Sequence, residues 1–322
     1  MPADSKNTQS SAITDVRGAL REGMARLRKT NVPSHTLAAE LLLMHACGRN
    51  RAWLYAHSDE PLDAAEAEKY FALIARRAAG EPTQYLTGKQ EFWGLEFEVT
   101  PAVLIPRPET EHVIEVALER LGARGIKINM KTGAPSLPLR VADVGTGSGC
   151  IAIALAHELP HAEIFATDIS SAALEVARRN AQRHAVSDRI HFTECDLLAA
   201  LAPAGGNPTD AGRYETPEAR FDLIASNPPY VARIEAETLA REVRDHEPHT
   251  ALFGGADGVE IYARLIEQAG SMLRCGGILV LELGYNSADR VRAMLAAERR
   301  WANISITNDL AGIPRVLASE RI

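Results

Sequence analysis

The chain has 322 residues, 46% hydrophobic, 24% charged and 5% aromatic, the composition of an ordinary globular protein long enough for two domains. Its formal charge of −7 supplies no global basic field for nucleic acid. No apolar run reaches membrane-spanning length, and the polar start "MPADSKNTQSSA" lacks the regions of a signal peptide, so a cytoplasmic protein without a membrane partner is expected.

From about residue 12 to 80 the pattern is helical. Ile13, Val16, Leu20, Met24 and Leu27 recur at helical spacing, and "TLAAELLLMHACG" ends a second helix at Gly48. A third helix opens with Asp63 as N-cap and Glu66 three residues on, then runs through Tyr70, Phe71 and Ile74 to Gly80. The expectation is a small helical domain over residues 1–80.

"EFWGLEFEVTPAVLIPRPETE" then alternates apolar positions around Gly94, which predicts a β-hairpin within a linker over residues 81–105, bridging two domains. Pro108 suits the first position of the helix "ETEHVIEVALERL". Non-periodic stretches near 122–138 and 202–219 read as loops. Over the remainder of residues 106–322, strands are expected at "LRVADVG", "AEIFATD", "RIHFTE", "FDLIASN", "GILVLEL" and "NISITND", with helices between most of them. That alternation is an open, doubly wound α/β sheet.

The first of these strands ends in "DVGTGSG". Glycines at a strand-to-helix turn let the backbone approach a ligand, and the next helix would aim its N-terminal amides there. A nicotinamide fingerprint would need glycine where Cys150 stands, and a P-loop would need a lysine that is absent. What remains, D-x-G-x-G-x-G, is the pattern of S-adenosylmethionine-dependent methyltransferases. Asp168, closing the next strand, is placed for the hydroxyls of a ribose, or else caps the helix that follows, although Ser170 is the better cap. Asp196 and Leu197 fall after the third strand, where they could meet an adenine amine and its face; Asp196 reads equally well as an ordinary loop acid.

The stretch "LIASNPPYV" ends a buried-looking strand in Asn227, Pro228, Pro229 and Tyr230. Two prolines remove two donors and fix two φ angles, so the corner is rigid. Beside a methyl donor, the Asn227 side-chain oxygen and the Pro228 carbonyl can each accept one hydrogen of a planar NH2 group, while Tyr230 offers a stacking face. No strong base is required, because the nitrogen can lose its proton as or after the methyl arrives.

These motifs resemble the HemK/PrmC family of protein-glutamine N5-methyltransferases, through "GEPTQYLTGKQEFWGLEFEVTPAVLIPRPETE", "DVGTGSGCIAIALA", "ATDIS", "SNPPYV", "EPHTALFGGADG" and "LELG". The resemblance implies a Rossmann-like, seven-stranded class I methyltransferase domain joined by a β-hairpin to an N-terminal all-helical substrate-recognition domain. It implies S-adenosyl-L-methionine bound at Asp143, Val144, Gly145, Thr146, Gly147, Asp168, Asp196, Leu197 and Asn227, with catalysis and substrate at Asn227, Pro228, Pro229 and Tyr230. The implied substrate is the glutamine of the Gly-Gly-Gln motif in peptide chain release factors. Many members carry an aromatic residue where this chain has Leu197.

A sibling group methylates a ribosomal protein; "LIPRPETE" looks like the release-factor branch. The rival class, nucleic-acid adenine-N6 methyltransferases, shares the corner but needs a basic groove. A non-catalytic scaffold would require a blocked loop or corner, and both are intact. A monomer without metal is expected: His246 and His249 flank Glu247 without a third ligand, and the four cysteines form no C-x-x-C pair. Arg107 has two readings, cofactor contact or helix cap, and Glu282 could face the site or bond backbone amides.

Overall fold

The structure, a computed structural model, describes residues 15–123, 139–201 and 220–322. The chain divides into two compact units, Met1–Thr87 and Gly88–Ile322. The boundary lies beyond the expected residue 80, and the expected linker is shared between the two units.

The first unit is helical. Asp15 caps α1 (Val16–Lys29), its carboxylate accepting from the Gly18 amide at 2.6 Å. The α1 residues Val16, Ala19, Gly23 and Leu27 share the buried face that helical periodicity dictates. Next, α2 (His35–Cys47) stops at Gly48, whose φ of +63° is the left-handed cap that glycine adopts without a side-chain penalty. Two short helices were not expected: α3 (Arg51–Ala56), capped by Asn50, and α5 (Thr83–Thr87). Between them, α4 (Ala64–Ala78) starts at Asp63 as the sequence indicated, with the Ala65 amide 2.9 Å from the cap carboxylate. Leu27, Leu42, Leu43, Leu54, Tyr70, Ile74 and Leu86 form one core, and burial of Leu86 explains why the unit extends past residue 80.

The second unit opens with the hairpin β1 (Lys89–Phe92) and β2 (Leu95–Glu98). Its two turn residues, Trp93 and Gly94, both have positive φ, as a primed two-residue turn requires. Expected as a bridge, the hairpin instead belongs to this unit. The Trp93 amide donates to Glu111 at 2.8 Å and its indole to Glu158 at 3.0 Å, while the Glu98 amide donates to Asn180 at 2.7 Å.

A one-turn 3-10 segment, Pro108–Thr110, leads into α6 (Glu111–Ala123). There follow β3 (Arg140–Val144), α7 (Cys150–Glu158), β4 (Glu163–Asp168), α8 (Ser171–Arg183), β5 (Ile190–Glu194) and β6 (Phe221–Ser226). The chain continues through α9 (Arg241–His246), α10 (His249–Leu252), α11 (Glu260–Met272), β7 (Leu273–Glu282), α12 (Ala288–Ala297), β8 (Trp301–Asn308) and β9 (Pro314–Arg321). Apart from the last residues of α6, the two expected loops lie outside the described residues.

Seven strands make one sheet in the order β5-β4-β3-β6-β7-β9-β8, parallel from β5 to β7, with β9 antiparallel to both neighbours. This is the expected doubly wound architecture. The strand β9, absent from the six runs found in the sequence, completes it. Alternate strand residues feed two cores. Val141, Leu223, Ile278 and Val280 pack with α6 and α7, whereas Ala142, Ile224, Leu279 and Leu281 pack with α11 and α12. The strand order reverses between β3 and β6, and ligands of open α/β sheets bind in the crevice at such a reversal.

Candidate active site

Strand β3 ends in Asp143 and Val144, both buried, and the chain turns at once through glycines. Gly145 (φ +72°) and Gly147 (φ +54°) take backbone conformations that other residues resist, and a Cβ at Gly145 would meet nothing within 4 Å. Open space therefore lies over the loop. The Gly145 and Thr146 amides donate to the Thr167 carbonyl, each at 2.8 Å. The Gly147 amide donates to one oxygen of Asp168 at 2.9 Å, and the Ser170 amide to the other, also at 2.9 Å. Ser170, not Asp168, caps α8 through the Ala173 amide. Burial pushes the Asp168 carboxyl upward, and the backbone donors pull against it.

Asp143 is fully buried. One oxygen accepts from the Thr146 hydroxyl at 2.6 Å and from the Ala152 amide at 3.0 Å; the other is buried with no hydrogen-bond partner among the described residues. Desolvation pushes this carboxyl up to about 7, against those two bonds.

Beyond β5, the Cys195 amide donates to the Asp168 carbonyl at 2.9 Å, so Asp196 and Leu197 stand on the same sheet edge as Asp168. Asp196 is exposed and paired with Arg264 at 2.5 Å. Leu197 has a φ of +53° and packs its side chain partly against the second core. Among the described residues no hydrogen bond joins either side chain to the loop or to Asn227.

The Asn-Pro-Pro-Tyr corner follows β6. Val144 and Ser226 are register partners, so Gly145 and Asn227 leave the sheet side by side, and the Ser226 hydroxyl donates to the Val144 carbonyl at 2.6 Å. Pro228 is buried; Asn227, Pro229 and Tyr230 are partly so. Downstream segments clasp the corner: the Val231 amide donates to the Leu252 carbonyl and the Gly254 amide to the Val231 carbonyl. A Cβ at Gly254 would come within 2.4 Å of the Pro229 carbonyl oxygen, and one at Gly284 within 2.7 Å of the Tyr230 ring. The ring is thus backed by bare main chain.

Two residues from distant segments hold the corner's side chains. The Asn227 Nδ2 donates to the Thr110 hydroxyl at 3.1 Å, and that hydroxyl donates to Glu282 Oε2 at 2.6 Å. The Tyr230 hydroxyl makes a longer bond, 3.4 Å, to Glu282 Oε1. Glu282 is fully buried, and desolvation pushes its carboxyl up to about 7 despite the Thr110 bond. It therefore faces the site through two hydroxyls. Its backbone carbonyl accepts from the buried Tyr262 hydroxyl at 2.8 Å, which anchors the end of β7.

Arg107 makes no capping bond; its guanidinium pairs with the buried Glu247 at 2.6 Å, tying the "LIPRPET" segment to α9. The His249 ring packs edge-on against Phe253. Among the described residues no group of three or more His, Cys, Asp or Glu side chains is placed to hold a metal ion.

Sequence reasoning brought the loop, Asp168 and the corner to one crevice, and missed Thr110, Gly254, Gly284 and the use made of Glu282. An acid inside the apolar run "GILVLELG" was the available signal, because a carboxyl is buried only where partners meet it.

Comparison with known proteins identifies the family. The PrmC N-terminal domain matches residues 18–88 and the methyltransferase small domain matches residues 130–244. The release factor glutamine methyltransferase of Koribacter versatilis is 43% identical over 306 residues, covering 95% of this chain and 98% of its own. That of Chlorobaculum tepidum is 42% identical over 300 residues, covering 93% and 95%. The chain belongs to the release factor glutamine methyltransferase family. It is an enzyme, and its second unit carries the methyltransferase domain. A crystal structure of the hMettl16 catalytic domain in complex with MAT2A 3'UTR hairpin 1 shares the fold of this family member. Its TM-score is 0.51 at 19% identity, over 76% of this chain and 79% of that one. No helix among the described residues is long and apolar enough to cross a membrane.

Proposed function

We propose that the protein transfers a methyl group from S-adenosyl-L-methionine to the side-chain nitrogen of the glutamine in the Gly-Gly-Gln motif of peptide chain release factors. The reaction would take place in the cytoplasm and act on translation termination. The observation that carries this reading is the juxtaposition at the sheet's reversal: the glycine loop and Asn227 leave the paired residues Val144 and Ser226 side by side.

The residues fit the cofactor. A Cβ at Gly145 would meet nothing within 4 Å and one at Gly147 would meet the Gly145 carbonyl oxygen at 4.0 Å, and Asp143 at the base of the loop keeps an orphaned oxygen. Backbone donors from Gly147, Ile169 and Ser170 meet the Asp168 carboxylate, whose two oxygens together have about four lone-pair sites and so keep acceptor capacity for a ribose hydroxyl. Asp143, Val144, Gly145, Thr146 and Gly147 would hold the cofactor at the loop, Asp168 its ribose, and Asp196 and Leu197 its adenine. Bound there, it supplies an electrophilic methyl on a sulfonium.

The chain's own residues do the rest. With Nδ2 given to Thr110, the Asn227 side chain keeps Oδ1 for the substrate, and Pro228 adds a carbonyl. Those two acceptors take the two amide hydrogens, favour positive charge developing on the nitrogen, and aim its lone pair. Tyr230, backed by Gly284, offers its face to the planar amide and orients it. The nitrogen sheds its proton once the methyl has arrived, so no dedicated base is needed.

The helical unit is the candidate for recognising the release-factor surface. It has its own core and supplies none of the loop or corner residues, and one glutamine side chain carries too little binding energy to specify a site. The test is to supply labelled S-adenosylmethionine with release factor, ribosomal protein and DNA separately. Label should enter the release factor alone and disappear when its motif glutamine is replaced. Label in the ribosomal protein or DNA instead would overturn the assignment.

A further inference from the structure

We propose that Thr110 and Glu282 are positioning residues that fix which end of the Asn227 amide faces the substrate nitrogen. This deepens the methyl-transfer reading and rests on it.

The count of hydrogens at Thr110 decides the orientation. Thr110 has a single hydroxyl hydrogen and touches two partners, Glu282 Oε2 at 2.6 Å and Asn227 Nδ2 at 3.1 Å. An ionised carboxylate can only accept, so the hydrogen goes to Glu282. The Thr110 oxygen is then left to accept, and only the NH2 end of Asn227 can donate to it. The amide oxygen must point away from Thr110, where a substrate hydrogen can meet it. Flipping the amide would set two acceptors against each other with no hydrogen between them. The same carboxylate accepts from the Tyr230 hydroxyl, so one buried group steadies both ends of the corner.

Protonating Glu282 removes the constraint. Its new O–H can donate to the Thr110 oxygen, the Thr110 hydrogen is freed to point at Asn227, and the flipped amide becomes acceptable. An NH2 group then stands where an acceptor is required. Burial and the neighbouring groups together set where this happens. Burial pushes the Glu282 carboxyl up most and the Thr110 bond pulls against it; Glu109 adds to the push, while Arg315 of β9 and the Tyr230 hydroxyl pull it down. Cys150, raised to about 12, and Tyr262, also raised, lie close enough to feel Glu282 and stay neutral throughout. With Glu282 pushed up to about 7, transfer weakens as pH falls through that value.

The experiment measures single-turnover methylation of intact release factor at saturating S-adenosylmethionine, from pH 5.5 to 8.5, with cofactor affinity followed by calorimetry. Thr110→Val should lower the rate by about tenfold to a hundredfold through a misdirected amide, and Thr110→Ser should restore it to within about threefold of the parent. Glu282→Gln, which cannot ionise, should flatten the acid limb. Cofactor affinity should stay within about threefold in all three, because among the described residues no hydrogen bond joins the Thr110 or Glu282 side chain to the loop. A Thr110→Val rate within about twofold of the parent, or an acid limb unchanged in Glu282→Gln, would overturn the relay. Absence of label with the parent chain would overturn the functional reading itself, and the relay with it.

Discussion

The glycine loop and the Asn-Pro-Pro-Tyr corner leave the sheet from neighbouring strands, yet they are held in opposite ways. The loop carries its own supports. Thr146 and Ala152 bond Asp143 from three and nine residues away, and Gly147 bonds Asp168 twenty-one residues on. The corner has almost none of its own beyond two stiff prolines. Asn227 leans on Thr110, 117 residues earlier, and Tyr230 on Glu282, 52 residues later, while Gly254 and Gly284 make room for its backbone and ring. A self-supporting loop can grip a cofactor through local structure alone. A corner propped by the whole unit can place one acceptor closely, because packed neighbours on several sides resist its displacement.

The largest effect should come from the corner. Asn227→Ala is expected to lower the rate of transfer at saturation by at least about a hundredfold, since it removes an acceptor whose value grows as charge develops on the nitrogen. Cofactor affinity should change by less than about tenfold, because the loop keeps its own bonds. Near-normal transfer would break the comparison by showing that the propped residue is dispensable. Asp168→Ala should do the reverse. The Gly147 and Ser170 amides lose their acceptor, and cofactor binding should weaken by about 1–3 kcal/mol, with turnover at saturation little changed. Unchanged affinity by calorimetry would leave Asp168 as a loop brace and nothing more.

The same contrast governs what could be read from the chain. The doubly wound sheet was legible because apolar runs such as "FDLIAS" and "ILVLE" are buried on both faces, and a strand of that kind announces itself. Strand β9 was not, because it opens on Pro314 and carries Arg315, Glu320 and Arg321 among its residues. The loop was legible residue by residue, since its glycines and acids are neighbours in sequence. Asn227 was legible as a chemical group, but the direction of its amide was not. That direction depends on a hydroxyl brought in by the turn before α6 and on an acid at the end of β7, which only the folded sheet brings together. The hairpin was foreseen and its allegiance was not, because Trp93 finds Glu111 and Glu158 only after the second unit has formed.

A smaller effect separates the buried acid of the loop from its partners. Burial raises the Asp143 carboxyl to about 7, so between about pH 4 and 7 the native state holds a proton that the unfolded chain has released. The stability that proton represents is present at low pH and is lost as pH rises through the folded value. Glu282 has the same sign, so the useful quantity is the difference between the parent and Asp143→Asn. Melting curves from pH 5 to 8 should show the parent losing about 2–5 °C relative to the variant. A difference that stays constant with pH would mean that Asp143 keeps one charge state, and that the loop tolerates its orphaned oxygen by some other contact.

The smallest effect is expected at the outer edge of the crevice, where the loop's self-sufficiency is tested most directly. Asp196 follows the edge strand β5, and its side chain is 47% exposed, as is that of its partner Arg264. An ion pair in water contributes little, and a carboxylate already shared with a guanidinium has less to offer an adenine amine. Asp196→Asn keeps one oxygen acceptor and should weaken S-adenosylmethionine binding by less than about threefold, well below the loss at Asp168. The ratio of the two losses measures how far the cofactor is held by the buried loop and how far by the rim. If Asp196→Asn weakened binding as much as Asp168→Ala does, the holding apparatus would have to include the rim and its partner Arg264. Arg264 lies on α11, on the far side of the corner in sequence, so the loop too would then depend on a distant prop. The contrast between a self-supporting loop and a propped corner would not survive that result.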